Sequence, residues 1–552
     1  MAQENNKDKK NICAPEDRLL LHQLRLLEWM DAKCNNQEEG VEESVPAETE
    51  LPEKWHLTKN VTLYPWQKEC VCRWFDNNTS GTVKVVTGGG KTILALAIIE
   101  KLQNTKLSDL SVVIIVPTIV LMNQWYDELI KCSNLPAVSI ARYGGGYKSS
   151  LSEDQRILIC VLASASKKLP KMVNEANKGK KLLLIADECH RFGATKMSHV
   201  FTTERAFNLG LSATPERDDT ENDNVLVSDN PSTNSMYDKS LLGQELGKII
   251  YDFTLSNALE LGVIPPFTIN HYGLNLNPKE RVQYDRLSRS ISDKRKELQG
   301  MAPRGYSSGG NFFGWVRKSA TQNRGQLSWI ASNFVSETAR RKALLYGMDS
   351  RKAAVEELID KELAVNPDAR IVLFHEKIDE VDNLFVRLKS KNLPVIAEHS
   401  QLPDSVREAG LDLFRKGIAR IIVSARSLIE GFNVPAIDVG IIVASSTSSR
   451  QRIQSLGRVL RKHRTSTGEE KTSCTHVLYA HNTTDESIYS KEEWDEITGI
   501  ECNNYFLWDI GNAPKRQDGP PKKPLPVDVN VDLSKLEPGC VYPGKYEGDE
   551  FK

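Results

Sequence analysis

Short runs of apolar residues alternate with longer segments of helical periodicity over about residues 60–265. Strands that are apolar throughout are buried on both faces, with helices in the connections covering them, so this alternation predicts a parallel sheet. The same alternation returns at about 355–480. The apolar runs are 83–86, 112–116, 157–161, 182–186 and 207–211 in the first region, and 371–374, 421–423, 441–444 and 476–478 in the second. We therefore predict two α/β domains in tandem.

The segments outside these two regions differ from them in composition. Residues 37–53 hold seven Glu and no Lys or Arg, which is typical of an unstructured acidic segment. After residue 510 the chain is rich in proline, which favours an extended tail. The predicted division is an acidic extension at 1–58, a first α/β domain at 59–265, a connector at 266–354, a second α/β domain at 355–510 and a Pro-rich tail at 511–552.

The connector is predicted to be mainly helical and is strongly basic. Residues 279–352 contain 16 Lys and Arg against six Asp and Glu, with aromatic residues interleaved. Two interpretations remain open. The segment either holds a nucleic-acid strand, with Trp315 or Phe313 stacking on a base, or it is a helical spacer with solvated charges and a small core of its own.

The chain of 552 residues is nearly neutral, with 72 Lys and Arg against 73 Asp and Glu, because the acidic extension offsets the connector. This balance argues against a uniformly basic nucleic-acid binder, but only on average. No stretch approaches the ~18 apolar residues of a membrane helix, and the N-terminus lacks the apolar core of a signal peptide. Ten scattered Cys do not make a disulfide scaffold. We expect no membrane partner and a reducing, cytoplasmic location, or a nuclear one in a eukaryotic host.

The turn after the first apolar run has the chemistry of a nucleotide site. Its sequence is TGGGKT, which comprises Thr87, Gly88, Gly89, Gly90, Lys91 and Thr92. Glycines let the backbone wrap a polyphosphate, and the N-terminus of the following helix directs its N–H groups at the anion. Lys91 would reach the β- and γ-phosphates of ATP, and Thr92 would hold Mg²⁺. The strict motif has Gly where Val85 stands, so an ordinary glycine-rich turn is the alternative.

An acidic pair, Asp187 and Glu188, follows the apolar run at 182–186. Carboxylates at the end of a buried strand are unfavourable unless they meet a cation. Asp187 would bind Mg²⁺ through water, and Glu188 would orient or deprotonate the attacking water. A simple helix cap is the alternative for such a pair.

Three segments in this order, TGGGKT, DECH at 187–190 and SAT at 212–214, resemble the motifs of superfamily 2 helicases of the DEAH/DExH kind. More specifically, IADECHRF and LGLSATPER are similar to segments of XPB-type repair helicases and their prokaryotic and phage relatives. The resemblance covers about 60–480. It implies two tandem RecA-like parallel-sheet domains that share ATP and Mg²⁺.

The same resemblance gives roles to other residues of the first domain. Gln67 would read the edge of the adenine base, with a solvated Gln at a helix start as the alternative. Ser212 and Thr214 would couple the nucleotide site to strand binding. His190 would join that network by bridging the carboxylates to neighbouring hydroxyls, with a merely structural histidine as the alternative.

Contacts to nucleic acid are implied at Thr118 and Gln124 in the first domain and at His399 and Arg407 in the second. Thr118 could donate its hydroxyl to a phosphate. We assign the neighbouring Trp125 to the core rather than to a stacking platform.

The segment QSLGRVLR carries the predicted chemistry of the second domain. Arg458 and Arg461 share one helical face at this spacing, and across the cleft they would stabilise charge on the γ-phosphate while Gln454 helps to place the water. Gly431, in the turn GFNVP, would contribute to nucleotide binding. A basic surface helix is the alternative. The chain departs from the family pattern at Asn433 and Ser455, where Asp and Arg are common.

The predicted function is that of an ATP-dependent DNA helicase or translocase in repair, recombination or defence against foreign DNA. DNA is favoured over RNA, and protein partners in such a complex are possible. An RNA helicase and an ATP-switch subunit of a larger nucleic-acid-processing complex are the alternatives.

Overall fold

A computed structural model gives the fold of the chain. It describes residues 50–86, 88–152, 154–194, 196–215, 237–303, 305–306, 309–322, 325–425, 437–445, 473–487, 489 and 500–521. Among these residues, no helix has the length and apolar character needed to span a bilayer.

The first sheet has eight strands in the order β4-β3-β5-β2-β6-β7-β1-β8. The strands are β1 (Ser80–Val85), β2 (Ser111–Val116), β3 (Ile140–Gly144), β4 (Tyr147–Lys148), β5 (Ile157–Val161), β6 (Leu182–Asp187), β7 (Phe207–Ser212) and β8 (Ile249–Phe253). All neighbours are parallel except β3 and β4. Because β6, β7 and β1 are adjacent, the residues that follow their carboxyl ends meet at one edge of the sheet.

Helices connect these strands, as the sequence pattern predicts. They are α1 (Pro65–Asp76), α2 (Lys91–Thr105), α3 (Ile119–Cys132), α4 (Leu162–Glu175), α5 (Leu241–Leu246) and α6 (Leu255–Glu260). Every residue of β2, β5 and β6 is buried, which explains their uninterrupted apolar runs. The domain begins earlier than the predicted residue 59, since Trp55 and Leu57 are fully buried in its core.

The second sheet also has eight strands, in the order β11-β12-β10-β13-β14-β9-β15-β16. The strands are β9 (Phe267–Leu274), β10 (Ile371–His375), β11 (Val395–Glu398), β12 (Ile421–Ser424), β13 (Val439–Ala444), β14 (Ser473–Ala480), β15 (Asn503–Trp508) and β16 (Lys515–Gln517). Only β16 is antiparallel to its neighbour. The helices of this half are α7 (Pro278–Met301), α8 (Gly309–Gln322), α9 (Gln326–Gly347), α10 (Asp349–Val365), α11 (Ile378–Ser390) and α12 (Asp404–Arg415).

The second sheet changes two predicted boundaries. Residues of β9, placed by the sequence in the connector, pair with β14 and β15 inside the sheet. The run FTINHYGL contains Thr, Asn, His and Gly, so it lacks the continuous apolar character of the other strands, and its partners lie about 200 residues away in sequence. Likewise, β16 lies within the predicted Pro-rich tail. The connector is therefore the helical segment α7 to α9, and it is attached to the second sheet: Arg281 on α7 donates to the carbonyl oxygens of Asn482 at 2.9 Å and His481 at 3.0 Å.

The connector helices form a small core of their own. The buried residues are Ile291, Leu298, Phe312, Val316, Ile330, Ala331 and Phe334. Phe313 and Trp315 are half-buried against them, whereas Trp329 is 67% exposed. This is the arrangement expected of the helical-spacer interpretation, and the aromatic side chain most open to solvent is one that the sequence did not single out for stacking.

Candidate active site

The glycine-rich turn joins β1 to the start of α2. Gly88 has φ of 88° and Gly90 has φ of 96°, in the left-handed region that favours glycine. Gly90 is the N-cap of α2, and no side chain caps the helix there. The N–H groups of the first turn of a helix lack intrahelical partners and form a site for an anion. A side chain at Gly90 would also collide with Gln67, whose Nε2 would lie 2.9 Å from the added Cβ.

Lys91, Asp187 and Glu188 form a buried charge cluster beside this turn. Lys91 Nζ donates to Glu188 Oε1 and lies 3.3 Å from Asp187 Oδ1. Glu188 has φ and ψ of 50°, a left-handed conformation that turns its carboxylate back towards the lysine. Two carboxylates against one ammonium leave a formal charge of −1, and Glu188 Oε2 has no hydrogen-bond donor among the described residues. Buried negative charge of this kind is stabilised by a cation, so the donor set fits Mg²⁺.

Trp125 holds Asp187 in place. Its Nε1 donates to Asp187 Oδ2 at 2.9 Å, and the backbone N–H of Glu188 donates to Asp187 Oδ1 at 3.0 Å. The prediction that Trp125 belongs to the core is confirmed, since it is 1% exposed. Its contact with the acid is a feature that the sequence reasoning missed. The available signal was that a buried indole N–H needs an acceptor.

Gln67 lies against the glycine-rich turn and is 1% exposed, so the alternative of a solvated side chain is wrong. Its Oε1 accepts from Tyr64 N at 2.9 Å, and its Nε2 donates to the Gly90 carbonyl at 3.0 Å. The side chain therefore links the start of α1 to the nucleotide turn. Recognition of the adenine edge by Gln67 stays a prediction.

Hydrogen bonds connect His190, Ser212 and Thr214, while their coupling role stays a prediction. His190 Nδ1 is hydrogen-bonded to Ser212 Oγ at 3.0 Å, and Thr214 N donates to Ser212 Oγ at 3.1 Å. His190 Nδ1 also lies 3.6 Å from Glu188 Oε2. The imidazole thus connects the acid after β6 to the hydroxyl at the end of β7. The hydroxyl of Thr214 is buried with no hydrogen-bond partner in the described part of the chain.

The residues predicted to contact nucleic acid have contacts within the protein. Thr118 caps α3 by accepting from Leu121 N at 3.3 Å, and Gln124 is half-buried one turn further along. His399 is 3% exposed, with Nε2 at 3.0 Å from Asp382 Oδ1. Arg407 donates from Nε and Nη2 to Glu398 Oε1 at 2.8 and 2.6 Å. Their roles towards nucleic acid stay predictions.

Five further predicted residues lie outside the described residues, so their roles stay predictions as well. They are Thr87, Gly431, Gln454, Arg458 and Arg461.

Comparison with known families finds two matches along the chain. Residues 60–217 match the family described as type III restriction enzyme, res subunit. Residues 352–463 match the helicase conserved C-terminal domain. The first match contains the turn, the acidic pair and the His190 network, and the second contains the positions of Gly431, Gln454, Arg458 and Arg461.

Several curated proteins are similar over most of the chain. DNA 3'-5' translocase XPB2 of Sulfurisphaera tokodaii is 26% identical, over 74% of this chain and 80% of that protein. DNA 3'-5' helicase XPB of Kineococcus radiotolerans is 24% identical, over 72% of this chain and 57% of that protein. The chain also matches two proteins named putative DNA 3'-5' helicase Rad25, and the match spans about half the length of each, 52% and 50%.

Solved structures agree on the fold. The Pyrococcus furiosus Hef helicase domain superposes with a TM-score of 0.50 at 16% identity, covering 77% of this chain and 97% of that one. The two eight-stranded sheets are therefore tandem RecA-like domains. A match to the res-subunit family is followed by a match to the helicase conserved C-terminal domain, and XPB-named relatives span both, so the chain is similar to XPB-like superfamily 2 helicases.

Proposed function

We propose that the protein hydrolyses ATP, bound with Mg²⁺, to drive movement along DNA or unwinding of it. The observation that carries this proposal is the buried cluster of Lys91, Asp187 and Glu188, which joins the nucleotide turn to His190 and Ser212. The cluster is a charge arrangement that substrate and metal would complete.

Lys91 and the uncapped first turn of α2 would bind the phosphates, while Thr92 and Asp187 would hold the metal. Trp125 and the backbone of Glu188 fix both oxygens of Asp187, so that this carboxylate is oriented before any ligand arrives. When bound, Mg²⁺ would neutralise phosphate charge and orient the phosphate oxygens for in-line attack.

Glu188 Oε2 is the oxygen available to accept a proton from the attacking water. A proton there changes its contact with His190 Nδ1, which is 3.6 Å away and hydrogen-bonded to Ser212. The end of β7 would in this way respond to the state of the nucleotide. Gln454, Arg458 and Arg461 would complete the site from the second domain.

DNA is the proposed polymer, and 3'-to-5' the proposed direction, because the curated relatives are named for both. Phosphates are the natural contact for a motor that must ignore sequence. The basic segment 279–352 adds a second support, since its 16 Lys and Arg against six Asp and Glu make it positive. Trp329, exposed on α9, is the aromatic side chain best placed there to stack on a base.

The test is the ATPase rate of the purified protein with single-stranded DNA, duplex DNA, forked DNA and RNA in parallel, at one stated salt concentration. We expect DNA to raise the rate and RNA not to. Directionality follows from substrates whose single-stranded tail is on the 3' or the 5' side. Stimulation by RNA alone would identify RNA, rather than DNA, as the polymer on which the protein acts. No stimulation by either polymer would favour the ATP-switch alternative.

A further inference from the structure

Three side chains that can bind a metal converge on the second sheet, away from the nucleotide motifs. Cys474 and His476 are two residues apart on β14 and therefore lie on one face of the sheet, where Glu362 of α10 packs against them. His476 Nε2 is 3.0 Å from Glu362 Oε1 and 3.7 Å from Cys474 Sγ. All three donor atoms lie within 4.8 Å of one another.

We propose that Cys474, His476 and Glu362 form a site for a divalent transition metal of the zinc class. Zinc binds sulfur, nitrogen and oxygen ligands at about 2.0–2.3 Å in a tetrahedron, which places donor atoms roughly 3.3–3.6 Å apart. The distances of 3.0 and 3.7 Å in this cluster differ from that range by a few tenths of an ångström. One thiolate, one imidazole and one carboxylate are ligands that zinc accepts together.

The surroundings of the cluster suit a bound metal. His476 is 1% exposed, so its ring is held by packing, while Cys474 and Glu362 are only half-buried and leave a route for an ion. Asn270 Nδ2 on β9 donates to Cys474 Sγ at 3.4 Å, a contact that orients the sulfur. Three protein ligands leave a fourth position for water.

An ion pair between His476 and Glu362 is the simpler reading, and it does not require Cys474. Burial lowers the pKa of His476, but Cys474 and Glu362 outweigh burial and raise it to about 9. The hydrogen bond from His476 holds the pKa of Glu362 below its usual value, and burial raises that of the nearby Tyr272. The two interpretations differ in whether Cys474 takes part, because zinc would use its sulfur and the ion pair does not.

The site would join β14 to α10, and hence the sheet to the helix that follows the connector. It lies in the amino-terminal half of β14, whereas nucleotide contacts in sheets of this kind form beyond the carboxyl ends of the strands. Removing the metal should therefore leave ATP hydrolysis unchanged at temperatures where the protein is folded. Binding of the metal should raise the unfolding temperature.

The test is zinc content and affinity of the full chain after chelation and dialysis, with zinc chloride as the probe and a chromophoric competitor as the readout. Cys474→Ser should lose about one equivalent of zinc, or at least about 100-fold in affinity. Cys72→Ser, which removes an exposed thiol on α1, is the matched control and should bind as the unmodified protein does. Cobalt should give a thiolate charge-transfer band that is absent from Cys474→Ser.

A second variant, Glu362→Gln, keeps a hydrogen bond to His476 but removes the carboxylate ligand. Its zinc content and affinity should also fall, which provides the test if Cys474→Ser does not fold. Equal zinc content in Cys474→Ser, Glu362→Gln and Cys72→Ser would overturn the proposal.

Discussion

The two RecA-like sheets bury charge in different ways. In the first, Lys91 faces two carboxylates, and Glu188 Oε2 has no hydrogen-bond donor among the described residues. In the second, Arg351, 1% exposed, pairs with Asp485 and also donates to the carbonyl oxygens of Leu345, Val443 and Leu478. The Lys91 cluster keeps a carboxylate oxygen without a described hydrogen-bond donor, whereas the hydrogen bonds of Arg351 all go to groups of the protein itself. This difference separates a reactive site from a structural one more clearly than burial does.

Glu188→Gln should have the largest effect on this contrast. We expect kcat for ATP hydrolysis to fall about 10²- to 10⁴-fold, because the amide cannot take a proton from water, while ATP binding persists. The buried cluster becomes neutral, so the unfolding temperature should stay the same or rise. Steady-state ATPase assays and thermal unfolding measure the two effects. Glu175→Gln, at an exposed pair with Lys171, is the control. A marked loss of stability with activity retained would assign Glu188 a structural role.

Arg351→Met tests the other half of the comparison. Removing the guanidinium takes the cation away from Asp485, to which only the backbone N–H of Ala480 would still donate among the described residues, and it removes a donor from three carbonyl groups. We therefore expect the free energy of unfolding to fall by about 3–5 kcal/mol. The matched control is Lys171→Met, in an ion pair with Glu175 whose side chains are 81% and 65% exposed. That variant should change stability by less than about 1 kcal/mol. Denaturant unfolding of both variants gives the values, and equal effects would mean that the Arg351 pair adds nothing beyond a surface pair.

Trp125→Phe should change the Mg²⁺ dependence of ATP hydrolysis rather than the stability of the fold. The phenyl ring retains most of the packing but cannot donate to Asp187 Oδ2, so the Mg²⁺ concentration for half-maximal activity should rise about 10- to 100-fold. Trp74→Phe is the control, because Trp74 is also buried and its Nε1 donates to the Asn208 carbonyl at 2.9 Å. Mg²⁺ titrations of ATPase activity compare the two, alongside thermal unfolding with no Mg²⁺ present. A similar Mg²⁺ dependence in both variants would show that Trp125 does not position Asp187 for the metal.

His375, at the end of β10, should give the smallest effect, in the pH dependence of stability. Burial is the main cause that lowers its pKa to about 4, below the ordinary 6.5. The unfolded chain therefore takes up the proton first, so this contribution to stability is present above pH 6.5 and is lost as the pH falls towards 4. Between pH 6.5 and 5 the loss should be about 2 kcal/mol. In His375→Gln, denaturant unfolding at the two pH values should show a smaller change in the free energy of unfolding. The same pH dependence in the variant and the unmodified protein would contradict the role given to His375.

The sequence predicts that the motif residues of the first domain lie together, because each motif is local. A turn, an acidic pair and a Ser-Ala-Thr segment each follow a strand, and adjacency of β6, β7 and β1 then brings them together. The indole contact of Trp125 could not be predicted, because it joins α3 to β6 and depends on how the helix packs. The membership of β9 in the second sheet was missed for the same reason, since its ladder partners in β14 and β15 are distant in sequence.

The placement of β9 has a mechanical consequence. The first sheet ends with β8 at Phe253 and the second begins with β9 at Phe267, so the backbone passes from one motor lobe to the other only once within the described chain, beyond α6 at residues 261–266. The basic helices at 278–347 come later and start and finish on the second lobe. These helices are therefore an insertion within the second domain, which we call the arm, and they are not the segment that connects the two domains. A short loop in place of the arm would therefore leave the segment 261–266, which joins the two sheets, unchanged.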